Sequence, residues 1–86
     1  MYKDIFAMND YERIFSLDRT QMDTFREYLS RLRRTHSWRW HSRKGEEVYC
    51  FSDTQRLRIS NEGVSTTSGI HEDIIQTLKI IKEIGA

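Results

Sequence analysis

The chain contains no proline, a single cysteine and four glycines among its 86 residues, and its charges nearly cancel, at a net +1. The lack of proline, together with 37% hydrophobic and 31% charged residues, argues against a disordered or fibrous chain. Cys50 has no second cysteine to pair with, so no internal disulfide can form. No apolar run approaches the roughly 20 residues that span a bilayer, and the first residues lack the apolar stretch of a signal peptide. We therefore expect a cytoplasmic protein that makes no membrane contact.

The sequence also lacks the usual motifs of catalysis and cofactor binding. The four soft metal ligands, His36, His41, Cys50 and His71, have none of the spacings that preorganise a zinc site. Cys50 falls in the middle of a predicted strand with its side chain inward, where a thiol is inert. The glycines are scattered over turns and helix ends, so there is no phosphate-binding loop. We accordingly predict no metal, no cofactor and no enzymatic activity.

A basic middle is the main positive feature of the sequence. Residues 31–58 carry eight basic and three acidic side chains, a net +5, whereas residues 1–30 and residues 59–86 each carry a net −2. The stretch RLRRTHSWRWHSRKG, residues 31–45, alone holds six Arg or Lys, two Trp and two His side chains and no carboxylate. Such an asymmetry favours an anionic partner, either nucleic acid (DNA or RNA) or an acidic protein surface.

Hydrophobic periodicity predicts a single domain, residues 1–86, in which a helix precedes a sheet. Residues 2–8 are expected to form a strand or an extended arm, and Asp10 to cap a brief helical turn carrying Tyr11, Ile14 and Phe15. The first long helix starts after Asp18, which approximates a capping box with Gln21. Its apolar side chains recur at helical spacing, at Met22, Phe25, Leu29 and Leu32.

From Ser37 to Thr67 the apolar period changes to two, which predicts an antiparallel meander. Strands are expected at 37–42, 47–52 and 55–60, with a weaker fourth strand at 64–67. Ser68 then caps a C-terminal helix that Gly85 ends, and its apolar stripe is Ile70, Ile74, Leu78, Ile81 and Ile84. The predicted fold class is α+β: an N-terminal helix, a three- to four-stranded antiparallel meander and a C-terminal helix packed on one sheet face.

The register of the second hairpin decides which side chains share a face with its arginines. A two-residue turn at Asp53-Thr54 would set Tyr49 opposite Arg58. It would likewise set Phe51 opposite Arg56. The other face would then be aliphatic, formed by Val48, Cys50, Leu57 and Ile59. Because the helices should cover the aliphatic face, the aromatic and arginine side chains are predicted to point outward.

The first hairpin has two readings that differ by one residue. A two-residue turn at Lys44-Gly45 would leave Trp38 and Trp40 on the outer face, whereas a three-residue connection buries both beneath the helices. We favour the buried tryptophans, since each can remove on the order of 200 Å² from water, worth several kcal/mol. This register places Arg39 and His41 outward.

In the favoured register the outer face combines cations with aromatic rings, which suits phosphate binding and base stacking. The predicted nucleic-acid-binding residues are Arg39, His41, Arg43, Lys44, Tyr49, Phe51, Arg56 and Arg58, with Arg33 and Arg34 at the end of the first helix. A plainer alternative treats the sheet arginines as solubilising edge residues and Tyr49 and Phe51 as core. The helix-end arginines would then only offset the helix dipole.

Three functions are consistent with these features. The first is a small non-enzymatic domain that binds nucleic acid or a nucleoprotein complex. The alternative is a small protein-binding regulator or inhibitor, of the kind that phages and mobile elements carry, and Ile75, off the apolar stripe, could serve a homodimer. The third is metal-free RNA cleavage around His41; order and size are loosely similar to those of small ribosome-dependent toxin nucleases, although no motif matches.

Overall fold

A central antiparallel sheet carries both helices on one of its faces. The computed structural model describes residues 5–84, which form two α-helices and five strands. In chain order the elements are β1 (Tyr11–Phe15), α1 (Arg19–Leu32), β2 (Arg39–Arg43), β3 (Glu46–Cys50), β4 (Arg56–Ser60), β5 (Gly63–Thr67) and α2 (Glu72–Ile84), with a short 3-10 helix at Met8–Asp10 before β1. The spatial order of the strands is β1-β5-β4-β3-β2. The α+β class is therefore confirmed, but a strand precedes the first helix and the sheet has five strands.

Strand β1 replaces the brief helical turn that was predicted after Asp10. It pairs antiparallel with β5, with Tyr11 opposite Thr67 and Phe15 opposite Val64, and its register shifts between Tyr11 and Arg13. This irregularity hides the strand in the sequence, because it breaks the period-two alternation by which a strand is identified. The predicted strand or arm at residues 2–8 lies partly outside the described residues, and residues 5–7 form a turn.

Helix α1 begins as predicted. The Asp18 carboxylate accepts a hydrogen bond from the Gln21 backbone N–H at 2.8 Å, and the Gln21 side chain accepts one from the Asp18 N–H at 2.9 Å. This reciprocal capping box satisfies two N–H groups that a helix start would otherwise leave without partners. Phe25 and Leu29 face the sheet and are buried.

Helix α2 begins at Glu72 rather than directly after Ser68, because a turn in which the Ile70 N–H donates to the Thr67 carbonyl intervenes. The buried stripe also differs from the prediction. Ile75 is only 2% exposed, so the predicted homodimer contact there is wrong, whereas Ile84 is 79% exposed. The core comprises Leu17, Phe25, Leu29, Leu57, Ile59, Val64, Ile70, Ile74, Ile75, Leu78 and Ile81. The predicted helix end at Gly85 lies outside the described residues.

The first hairpin has the register that was not favoured. Arg43 pairs with Glu46, so the connection is the two-residue turn Lys44-Gly45, in which Gly45 has a φ of +77° that glycine adopts without steric cost. Trp40 lies opposite Tyr49 and is 53% exposed, so its predicted burial beneath the helices is wrong, and Trp38 is half-buried. The helices do not extend over the edge strand β2, in which every residue is exposed.

The second hairpin is also shifted by one residue from the predicted register. Cys50 pairs with Arg56, so residues 51–55 form the connection instead of a two-residue turn. The Phe51 and Ser52 N–H groups both donate to the Gln55 carbonyl, which closes this loop. The shift places Tyr49 opposite Leu57, on the helix-covered side. It places Arg56 and Arg58 on the side of Cys50 and Val48.

The two faces of the sheet therefore differ from the predicted ones. Leu57, Ile59 and Val64 belong to the face covered by α1 and α2. The other side, here called the open face because neither helix covers it, carries the arginines of β4 together with Arg39, His41 and Arg43 of β2. Val48 and Arg56 on this face are nevertheless buried. The predicted face that joined those arginines to Tyr49 and Phe51 does not exist. Among the described residues, neither helix has the length and apolar character needed to cross a membrane.

Candidate nucleic-acid interface

The basic stretch 31–45 surrounds one edge of the sheet. It begins in the last turn of α1, continues through a loop at residues 36–38, and forms the edge strand β2 and its turn. Alternate side chains of β2 point to opposite faces, so Arg39, His41 and Arg43 lie on the open face while Trp40 lies on the helix-covered face. The predicted site residues are thereby divided between two surfaces.

Arg56 is not accessible to a ligand. The residue is 3% exposed, and Nη2 contacts the Asp10 carboxylate at 2.7 Å. Nη1 donates to the Asp53 carbonyl, and the guanidinium lies 5.8 Å from the centre of the Tyr11 ring. Removing this group from its partners would leave a buried charge unpaired, which is costly. Arg56 is therefore part of the scaffold rather than of a contact surface.

A second carboxylate is shared by two neighbouring arginines of the open face, so it offsets one of their two positive charges. Glu46 forms ion pairs with Arg58 and, at 3.0 Å, with Arg43. The hydrogen bond from Arg43, reinforced by the charge of Arg58, lowers the pKa of Glu46 below its usual value although partial burial opposes this effect. Arg43 also lies 4.4 Å from the ring centre of Phe6. Of the predicted open-face cations, Arg39, His41 and Lys44 form no ion pair with any residue that the structure describes.

Aromatic side chains gather on the opposite side of β2. The ring of Trp38 lies 5.9 Å from that of Tyr49 and 5.2 Å from that of Phe51, measured between centroids. The Arg33 guanidinium sits 5.8 Å from the Trp38 ring. These contacts leave Trp38 half-buried, whereas the cross-strand partner of Tyr49, Trp40, keeps more than half of its surface in water.

The rings of Trp38, Trp40 and Tyr49 form one wall of a cavity of about 270 Å³ between α1 and the β2-β3 hairpin, here called the tryptophan notch. Its lining residues are Arg26, Leu29, Ser30, Arg33, Trp38, Trp40, Glu47 and Tyr49. Glu47 accepts a hydrogen bond from the Trp40 indole at 3.2 Å and forms an ion pair with Arg26 at 2.6 Å. The carboxylate thus fixes the orientation of the indole, which preorganises the notch. Burial raises the pKa of the Tyr49 phenol, so this ring stays neutral.

A larger cavity of about 840 Å³, here called the open-face groove, lies on the other side of the same sheet edge. It is lined by Ile5, Ser37, Trp38, Arg39, His41, Cys50, Phe51, Ser52, Asp53 and Arg56. Burial raises the pKa of the Cys50 thiol, which keeps it protonated near neutral pH. Trp38 is the aromatic residue shared by the groove and the notch.

The structure groups the predicted site residues differently from the sequence prediction. Tyr49 lies in the notch and Phe51 in the groove, while Arg33 lines the notch and Arg34 is exposed just beyond the end of α1. Arg26 and Glu47 were missed, although helical spacing places Arg26 on the same helix face as Ser30 and Arg33. The alternative two-residue turn would have brought Trp40 and Tyr49 together.

Two histidines meet between the helices: the rings of His36 and His71 have centroids 5.0 Å apart in an edge arrangement. Within residues 5–84, no three His, Cys, Asp or Glu side chains are grouped so that they could hold a metal ion. Comparison of the chain with protein-family models, with curated proteins and with solved structures finds no significant match.

Proposed function

We propose that this chain binds single-stranded nucleic acid, without cleaving it, at the tryptophan notch and its cationic rim. The observation that carries the proposal is the exposure of Trp40, 53% of whose surface stays in water on an edge strand. Leaving about 100 Å² of an indole exposed forgoes roughly 2 to 3 kcal/mol of burial free energy. An exposed Trp beside arginines is typical of a surface that gains this free energy on binding a partner.

The chemistry of the notch favours an unpaired base as that partner. Aromatic faces stack on unpaired bases for about 1 to 3 kcal/mol per base, and Trp40 and Trp38 offer such faces. Glu47 adds a carboxylate that could accept a hydrogen bond from an exocyclic amino group of a base. In a duplex the base faces are already stacked, which is why a single strand suits the notch better.

Cations for the phosphates are present in the notch and elsewhere in the same basic stretch. Arg33 lines the notch, and Arg34, Arg39 and Lys44 are exposed on the flanking loop, strand and turn. Arg43, Arg56 and Arg58 contribute less, since carboxylates already pair with them. The proposed contact set is therefore smaller than the set predicted from the sequence, and modest affinity with a clear salt dependence is expected.

Fluorescence anisotropy with single- and double-stranded DNA and RNA oligonucleotides, at two salt concentrations, tests the proposal. We expect tighter binding of the single strands. Trp40→Ala should weaken it by about 5- to 150-fold, the equivalent of one stacked base, while leaving thermal stability nearly unchanged. Ile80→Ala is the matched control, because Ile80 is exposed to a similar degree, at 54%, on α2. A wild-type chain that binds no nucleic acid at low salt would refute the proposal.

A protein-binding regulator is the second candidate, and the open edge of β2 favours it. An edge strand presents unpaired backbone groups on which an extended peptide can add as a further strand. The side chains of Arg39, Arg43 and Lys44 would favour an acidic peptide and oppose pairing of β2 with a second copy of itself. An acidic peptide that binds more tightly than any oligonucleotide would support this candidate instead.

A further inference from the structure

We propose, building on the proposed function, that the bound single strand passes around Trp38, with one base in the tryptophan notch and the adjoining phosphate in the open-face groove beside Arg39. The ring of Trp38 forms part of the wall of both cavities. A chain that leaves the notch past this ring enters the groove directly. No other aromatic ring is shared by the two cavities among the residues that the structure describes.

The notch itself is unsuited to a phosphate. The Glu47 carboxylate lines it, and its two oxygens are engaged by Arg26 and by the Trp40 indole. Because Glu47 neutralises Arg26, Arg33, which lies 5.8 Å from the Trp38 ring centre, is the one lining cation left among the described residues to offset the repulsion between a carboxylate and a phosphate. The notch is thus selective for the uncharged base, and the phosphate next to that base must lie outside it.

The groove adds basic side chains beyond Arg33 of the notch. Arg39 and His41 both line it from β2, and neither forms an ion pair with a described residue. Arg56 also lines the groove but is already paired with Asp10. Asp53 is the opposing charge: its carboxylate lies at the loop end of the same groove. Arg39 therefore attracts a phosphate, whereas Asp53 repels it. Removing the charge of Arg39 should lower the affinity for the strand, and removing the charge of Asp53 should raise it.

Two charge variants test this path with oligonucleotides of one to four nucleotides and with the corresponding unphosphorylated nucleoside. Arg39→Gln should flatten the slope of log affinity against log salt by about 0.7 for the longer strands, and leave nucleoside binding unchanged. Asp53→Asn should tighten the same strands by about 2- to 5-fold, as expected for removal of one exposed like charge. Trp40→Ala should weaken the nucleoside and the strands alike.

Matched controls lie at the far side of the sheet. Arg13→Gln removes one positive charge from β1 and is the control for Arg39→Gln. Glu62→Gln removes one negative charge from the β4-β5 turn and is the control for Asp53→Asn. Both control side chains are exposed. Neither should alter binding. An independent readout is alkylation of Cys50 at alkaline pH, where part of the thiol is deprotonated; Cys50 lines the groove, so a bound trinucleotide should slow the reaction and a nucleoside should not.

The outcomes separate the two proposals. If single strands bind and Trp40→Ala weakens them, but Arg39→Gln and Asp53→Asn behave as their controls do, the path through the groove is overturned and the proposed function stands. If the nucleoside and all oligonucleotides fail to bind, the proposed function fails first. If an acidic peptide displaces the strands and responds to Arg39→Gln in their place, both proposals are overturned in favour of strand addition. Far-UV circular dichroism of each variant verifies that it is folded.

Discussion

Arginine side chains in this protein have three different environments, although the sequence presents them as one basic block. Arg56 is buried against Asp10, Arg58 shares Glu46 with Arg43, and Arg39 is exposed with no partner among the described residues. A buried guanidinium needs hydrogen-bond acceptors on several sides, and the Arg56 Nε remains without a partner among the described residues. Only the exposed arginines can exchange water for a ligand at low cost.

Glu46 gives the residue-level prediction for pH. Its pKa in the folded protein is lowered below the usual 4.5, mainly by the hydrogen bond from Arg43. A carboxyl group with a lowered folded pKa contributes stability above its unfolded pKa, and this contribution is lost as the pH falls through the folded pKa. The free energy of unfolding of Glu46→Gln should therefore lie below that of the wild type at pH 6. The gap should narrow as the pH falls below about 4.5.

Urea denaturation at several pH values between 3 and 6 measures this gap. Glu62→Gln is the control, since it removes one exposed carboxyl group that forms no ion pair with a described residue. If the difference in free energy of unfolding between the wild type and Glu46→Gln does not change with pH, the ion pairs of Glu46 with Arg43 and Arg58 do not contribute to stability.

His41 gives a second prediction at this scale, which separates binding from cleavage. The side chain is exposed on the open face opposite Val48, and it is the histidine that lines the groove. Acid-base cleavage of RNA needs such a group near the phosphate. We expect RNA incubated with the protein to stay intact, with and without ribosomes, as gel electrophoresis would show. Cleavage by the wild type but not by His41→Ala would replace the binding function with a nuclease.

Two glycines at strand ends lead to a prediction at the scale of elements. Gly45 has a φ of +77°, and a Cβ there would meet nothing within 4 Å. Gly63 has a φ of +137°, and a Cβ there would lie 2.1 Å from the Phe15 carbonyl oxygen, in the backbone of β1. Gly45→Ala should therefore cost about 1 to 2 kcal/mol from backbone strain alone. Gly63→Ala should cost more, because β1 must also shift away from β5.

Denaturant unfolding of the two variants compares these costs directly. The pair is internally controlled, since both changes add one methyl group at a turn with positive φ. Equal destabilisation of the two variants would mean that β1 moves away from the added methyl group at no cost in free energy. Its contact with β5 would then be looser than the distances indicate.

Elements with strong local signals could be predicted from the sequence, whereas those fixed by distant partners could not. The capping box fixed the start of α1, because both of its hydrogen bonds join residues three apart. The hairpin registers were missed by one residue each, since the tight turn at Gly45 outweighed the burial of Trp40. The grouping of the candidate site residues depends on these two registers, so neither the notch nor the burial of Arg56 could be predicted. The partner of Arg56, Asp10, lies 46 residues away in sequence.

At the scale of the whole molecule, the sheet is wider than the pair of helices packed on it, so the β2 edge is left uncovered. β4 and β5 supply core residues, and β2 supplies none. The uncovered edge is the part of the sheet that is richest in charge and tryptophan, so the candidate interface lies where the core ends. Stability and binding should accordingly respond to different sets of substitutions.

Pulsed hydrogen exchange during refolding tests a whole-molecule consequence of the strand order. β2 to β5 form a meander of neighbours along the chain, whereas β1 pairs with the most distant strand. Contacts between distant segments cost more loop-closure entropy, so amides of β1 should gain protection after those of β3 and β4. The reverse order, with β1 protected first, would contradict this sequence of events.

The pairing of β1 with β5 also limits the order in which contacts can form in a chain that is synthesised from its N-terminus. β1 is made before the other strands, yet Tyr11 finds its partner only once Thr67 has been added. Until then, Asp10 has no folded β1 to hold it against the guanidinium of Arg56. A nascent chain in which Arg56 has left the ribosome but Thr67 has not would thus hold this arginine unpaired in water, although the folded protein buries it.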